Sequence, residues 1–271
     1  MSLHSNVGVT DRRGFIAKGA LAGAGAAVGA GTLEALLPSF AAARGHKGGV
    51  TKGDLAILGA AQIAEALAVT MYTGIIDDAP FFGRLEDDDQ EYFKAARTEE
   101  MAHYLLERSV TRKPAAATTF YFPQRMFSDA QTTLNVLVTL EEAFIAAYLV
   151  GVRRFSSPDL RVTAARIMGI ESDHRILARV VAPSVAAQDG GPIEQVTGIQ
   201  GRAESVDPPN NNTYERTLRW TQISKAVDAL TPFIDKRAAD RAGFDTSRPF
   251  RFAPFTPTPP TSAGDFHSFI G

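Results

Sequence analysis

Four stretches of the chain carry apolar residues at helical spacing, each closed by a polar or proline-bearing break. The first runs from about Asp54, read as its N-cap, to Ile76, where Asp77-Asp78-Ala79-Pro80 stops it. The second opens on Asp87-Asp88-Asp89, negative charge that suits a helix N-terminus, and lasts to about Val110. A third spans Asp129 to about Phe155. Ser157-Pro158, a cap followed by proline at the first helical position, opens the fourth, which ends near Ala182 before Pro183. Between the second and third stretches, Thr111 to Ser128 holds Pro114 and Pro123 and no helical period. Short links join antiparallel neighbours, and the longer one can travel the length of a bundle. The pattern therefore predicts an all-α four-helix bundle: two helical hairpins joined by a long crossover between helices 2 and 3. No strand-like alternation competes with it over this span.

The flanks read differently. After an irregular stretch from Ser184 to Asn212, a fifth helical pattern is expected over about 213–242, with Leu218, Ile223, Val227, Leu230 and Ile234 as its apolar stripe. The tail from Gly243 is rich in Pro and Phe and should run extended, wrapped on the bundle. At the other end, Arg12-Arg13-Gly14-Phe15 precedes a mildly apolar, glycine-rich region that closes on Ala41-Ala42-Ala43. This order resembles a twin-arginine (Tat) export signal over residues 1–43, followed by a linker over 44–53. Glycine and Glu34 inside the region make a poor bilayer helix, so no membrane span is expected in the mature form. The expected location is periplasmic or extracellular, with the Tat export machinery as a partner. The bundle then occupies 54–182 and the helix-plus-tail extension 183–271.

Composition narrows the chemistry. The 271 residues include no cysteine, which removes disulfides, thiolate metal sites and a cysteine nucleophile. A net charge of −2 speaks against nucleic acid as a partner. Any metal must be held by carboxylate and imidazole. Of the five histidines, two sit in E-x-x-H pairs: Glu100 with His103 in the second stretch, and Glu171 with His174 in the fourth. Positions i and i+3 share a helix face, so each pair can aim a carboxylate and an imidazole at one point.

The first and third stretches each supply a glutamate among apolar residues. Glu65 lies in Ile63-Ala64-Glu65-Ala66-Leu67. In the third stretch the choice falls between Glu141 and Glu142. Leu134, Leu137, Val138, Phe144 and Ile145 surround Glu141 on the helix, whereas Asn135 and Thr139 flank Glu142, so Glu141 is taken as the buried one. Glu65 and Glu141 both have a tyrosine seven residues on, Tyr72 and Tyr148. Each of the four glutamates stands roughly twelve to fourteen residues from its hairpin turn, and at about 1.5 Å per residue they share one level of the bundle. Four carboxylates there would repel and be costly to bury. Two divalent cations would supply the missing charge, and four carboxylates with two imidazoles match the inward ligand set of di-iron and di-manganese bundles.

On these residues the chain resembles the ferritin-like domain proteins that carry a twin-arginine signal, relatives of the desiccation-associated proteins. The resemblance implies two Fe or Mn ions, with Glu100 and Glu171 bridging, His103 and His174 each on one metal, and Glu65 and Glu141 as terminal carboxylates. It implies that Tyr72 and Tyr148 hydrogen-bond the ligands. Dioxygen or peroxide is the expected substrate, and hard oxygen donors with imidazole suit iron or manganese. The alternative from another class is a non-enzymatic desiccation or stress-related envelope protein with a structural or sequestered metal. Oligomeric state is left open, a homo-oligomer included.

Overall fold

A computed structural model describes the chain over residues 50–188 and 220–257, the side chains of 180 and 182–188 excepted. Residues 1–49, with the expected export signal and most of the expected linker, residues 189–219, with Leu218 and the expected start of the fifth helix, and residues 258–271 of the expected tail lie outside the described residues.

Helix α1 (Lys52–Asp78) begins one turn earlier than the sequence suggested. Its cap is Thr51, not Asp54. The Thr51 hydroxyl accepts from the Asp54 N–H (3.1 Å), and the Asp54 carboxylate accepts from the Thr51 N–H (2.8 Å), a reciprocal capping box. Asp54 also accepts from the Ser156 N–H at 2.8 Å, tying the start of α1 to the turn between the third and fourth helices. Burial raises the Asp54 pKa, but the bonds from Ser156 and Thr51 outweigh it and leave the carboxyl below its usual range.

A single 3₁₀ turn at Phe82–Arg84 leads into α2 (Asp87–Thr111), which ends on Arg112 in the left-handed conformation (φ 56°). Helix α3 (Ala130–Arg154) is capped by Asp129, whose side chain accepts from the Thr132 N–H. Helix α4 (Pro158–Gln188) has Ser157 at its cap, accepting from the Leu160 N–H at 3.4 Å, and its backbone continues past Pro183. Helix α1 packs along α2 and α3 along α4, with α1 and α3 also in contact. The two most apolar helices, α1 and α3, are long and apolar enough to cross a membrane, yet 83% and 78% of their apolar windows are buried inside the bundle, which marks them as core helices.

The crossover is not irregular throughout. It contains β1 (Thr119–Pro123), which pairs antiparallel with β2 (Phe244–Arg251) from the C-terminal arm. Thr119 faces Arg251, Phe120 faces Phe250, and after a register shift Phe122 faces Asp245. Pro249 has no N–H to give, which suits the interrupted part of the ladder. The arm is thus extended and packed on the bundle, as expected, but as a strand. The fifth helical pattern resolves into two helices, α5 (Ser224–Ile234) and α6 (Lys236–Ala242). Asp235 separates them because its side chain accepts from the Ala238 N–H and starts α6 afresh. Leu230 and Ile234 are buried, Val227 is half-buried, and Ile223 precedes the helix rather than lying within it.

These additions meet in an aromatic cluster at one end of the bundle. The Phe122 ring lies 5.0 Å from Phe127, 5.4 Å from Phe250 and 6.1 Å from Phe233 between centroids. Phe127 presses so closely on α1 that a Cβ at Gly74 would stand 2.6 Å from its ring. Only glycine fits there without moving the crossover.

Candidate metal centre

All six residues expected as ligands converge in the middle of the bundle. They form two groups whose ligand atoms lie within 4.8 Å of one another: Glu65, Glu100, His103 and Glu171, and Glu100, Glu141, Glu171 and His174. Glu100 and Glu171 belong to both. Each of these two carboxylates turns one oxygen toward each imidazole. His174 Nδ1 lies 3.1 Å from Glu100 Oε1 and 3.1 Å from Glu171 Oε2. His103 Nδ1 lies 3.4 Å from Glu100 Oε2, 3.5 Å from Glu171 Oε1 and 3.6 Å from Glu65 Oε2. Four helices position the set, one glutamate each from α1 and α3 and one E-x-x-H pair each from α2 and α4.

The tyrosines cross between the hairpins. Tyr72 of α1 donates to Glu141 Oε1 of α3 at 2.8 Å, and Tyr148 of α3 bonds Glu65 Oε1 of α1. Glu142, the alternative to Glu141, lies outside both groups and faces Arg179 at 3.6 Å. Sequence reasoning missed two further carboxylates. Glu99 Oε2 lies 2.9 Å from His174 Nε2, on the far side of the ring from the Nδ1 that faces the cluster. Glu107, fully buried, meets the Tyr148 hydroxyl at 2.9 Å. It lies four residues after His103 and seven after Glu100, so the same-face rule that joined those two could have found it. Glu99 lies off that face, and no spacing rule points to it.

Electrostatics follows from burial. Glu65 and Glu141 are pushed well above the usual carboxyl range by desolvation and then by the charge of Glu100 and Glu171. Burial also pushes Glu107 up, against the hydrogen bond from Tyr148. For Glu100, burial is outweighed by the charge of His174 and by bonds from both imidazoles, so its pKa falls. Burial alone would lower both histidines, but Glu100 and the surrounding carboxylates raise them well above their usual value. Glu99 is held low by its bond from His174. A phenol has one hydrogen to give, and Tyr148 stands between Glu65 and Glu107. Tyr148 can therefore donate to only one of the two carboxyls at a time.

Among the described residues, several buried carboxylate oxygens of the cluster make no hydrogen bond. Glu65 Oε2, Glu141 Oε2 and Glu171 Oε1 are buried without a hydrogen-bond donor, and so is Glu107 Oε2 beside them. Buried carboxylate oxygens of this kind call for a cation. Hard oxygen donors with imidazole are a set that could hold metal ions.

Residues 53–182 match the family model described as a ferritin-like domain, and with the two hairpins and their crossover this stretch is a ferritin-like domain. No curated protein and no solved structure matches the chain.

Proposed function

We propose that the bundle holds two iron or manganese ions and reacts with dioxygen or hydrogen peroxide, in a protein exported by the twin-arginine route. The observation that carries the reading is the pair of ligand groups sharing Glu100 and Glu171. Bound iron or manganese would supply the electrons exchanged with oxygen or peroxide. In this reading Glu100 and Glu171, the members common to both groups, would serve both ions, with His103 and Glu65 holding one and His174 and Glu141 the other. Tyr72 and Tyr148 fix the rotamers of the terminal glutamates. Glu99 keeps the His174 ring in the tautomer whose Nδ1 can bind metal. His103 is the more open of the two imidazoles, its side chain 11% exposed against 1% for His174, so small reactants would approach on its side.

Metal per chain in the purified protein tests the reading first, and about two ions are expected. Less than half an ion per chain after growth in iron and manganese would overturn it. Peroxide consumption and ferrous-ion oxidation by the loaded protein then separate an enzyme from a metal-holding stress or envelope protein. Activity in either assay, lost in Glu100→Ala/Glu171→Ala, supports the oxidoreductase, and a loaded protein inert in both supports the scaffold. Export is tested by replacing Arg12 and Arg13 with lysine, which should leave the protein in the cytoplasm.

A further inference from the structure

Between the C-terminal arm and the first helical hairpin lies a cleft of about 420 Å³. That volume falls within the about 300–1,000 Å³ common for small-molecule sites. Thr73 of α1, Arg97 of α2 and Phe250 and Phe255 of the arm line it. The cleft lies outside the carboxylate cluster, although Arg97 precedes Glu100 by less than one turn of α2.

Arg97 is the unusual member. Its Nε is buried and has no acceptor, and among the described residues it forms no ion pair. Its guanidinium carbon lies 5.4 Å from the centre of the Phe255 ring, so an aromatic wall holds the cation in place. A guanidinium offers its Nε–H and one terminal N–H as a flat fork that matches the two oxygens of a carboxylate. The Nε–H is closed off from solvent, so an acceptor entering the cleft would meet the terminal N–H groups of the guanidinium first.

The surrounding charge sets what can enter. Arg251 adds a second cation to the lining. Asp78 is engaged by Arg248 at 2.9 Å, which leaves Asp77 as the one acidic group without an ion pair among the described lining residues. The balance favours a single negative charge over a doubly charged phosphate. Phe250 and Phe255 favour a flat apolar body behind it.

We propose that this cleft is a binding site for a small organic monoanion, a carboxylate on a flat apolar body, with Arg97 as its anchor. The reading does not depend on the metal centre, and its test reads binding alone.

Benzoate is the minimal probe, titrated into the full chain by calorimetry, both metal-loaded and chelator-stripped. Saturable binding of one benzoate per chain is expected in both states, and benzamide, of the same shape without the charge, should bind far more weakly. Arg97→Gln should weaken benzoate by about tenfold or more, as loss of a charge-assisted bond would. Arg97→Lys should fall between, because it keeps the charge and loses the fork. Phe255→Ala, on the half-exposed arm, gives an independent variant that should also weaken binding, while Lys94→Gln on the outer face of α2 should not. Circular dichroism verifies that each variant is folded. No saturable binding at millimolar benzoate would overturn the proposal. So would unchanged affinity in both Arg97→Gln and Phe255→Ala, or tighter binding of inorganic phosphate than of benzoate.

Discussion

The two sides of the carboxylate cluster are alike in what they offer and unlike in what stands behind it. Each side has one glutamate, one imidazole and a tyrosine from the opposite hairpin. On the His174 side the imidazole is buried and fastened by Glu99, and Tyr72 serves Glu141 alone. On the His103 side the imidazole is partly open, and Tyr148 is shared between Glu65 and Glu107. One side is fixed through its histidine, the other through its glutamate. The difference teaches that a matched set of side chains does not make the two ends of the cluster equivalent.

The comparison is broken most completely where the sides join. Glu100→Ala/Glu171→Ala removes the two carboxylates common to both groups and should abolish metal binding on both sides, read as metal per chain by elemental analysis. Retained metal would show that the ions sit elsewhere. Glu142→Ala serves as the control and should keep its full complement.

Next comes a split between the sides. Glu99→Gln replaces the carboxylate behind His174 and should lower affinity at that position by about 10–100-fold while sparing the His103 side. A titration of the stripped protein should then show two well-separated binding steps. Equal weakening of both steps would contradict the asymmetry.

The tyrosines give a smaller effect of opposite bias. Removing the hydroxyl that satisfies a buried carboxyl costs about 1–3 kcal/mol. Tyr148→Phe strands two groups and Tyr72→Phe one, so Tyr148→Phe should lower the Tm of the stripped protein further. An equal or reversed order would mean that Glu107 is satisfied some other way.

The bluntest readout, since it does not distinguish the two sides, is the slope of stability with pH. Glu65, Glu141, Glu107, His103 and His174 all hold protons more tightly in the folded chain than in the unfolded one. Each contributes stability that is full below its unfolded pKa and is lost as pH rises through its folded pKa. Glu100 runs the other way, but its window lies below the ordinary carboxyl range. The stripped protein should therefore lose Tm between about pH 5 and pH 8. Metal takes the deprotonated ligands, so loading should flatten or reverse that slope. A Tm of the stripped protein that climbs across this range would contradict the assignment.

Most of the cluster was legible because helices repeat. Spacing of three puts Glu100 with His103 and Glu171 with His174, and the apolar neighbours of Glu141 distinguish it from Glu142. Hairpin depth places all four carboxylates at one level. The crossed tyrosine bonds were not legible, since a seven-residue interval along one helix does not say which neighbour its hydroxyl reaches. Glu99 is half-exposed at its carboxylate, and no spacing along α2 links it to His174 on another helix. The small sheet was hidden for another reason. Thr119–Pro123 is short, Phe244–Arg251 contains a proline and no clean alternation, and each becomes a strand only by meeting the other. The split of the fifth helix at Asp235 was readable in principle, because aspartate is a strong cap, but apolar periodicity ran across it.

That small sheet also sets an order of events. Every member of the carboxylate cluster has been synthesised once the ribosome passes His174, yet the strand that fastens the crossover comes only with 244–251. A nascent chain halted in between would hold every ligand residue and carry 119–123 without the partner that makes it a strand. The ligand set and the fastening of the crossover are thus completed at different points of synthesis, and a product cut short before 244 would keep the first and lack the second.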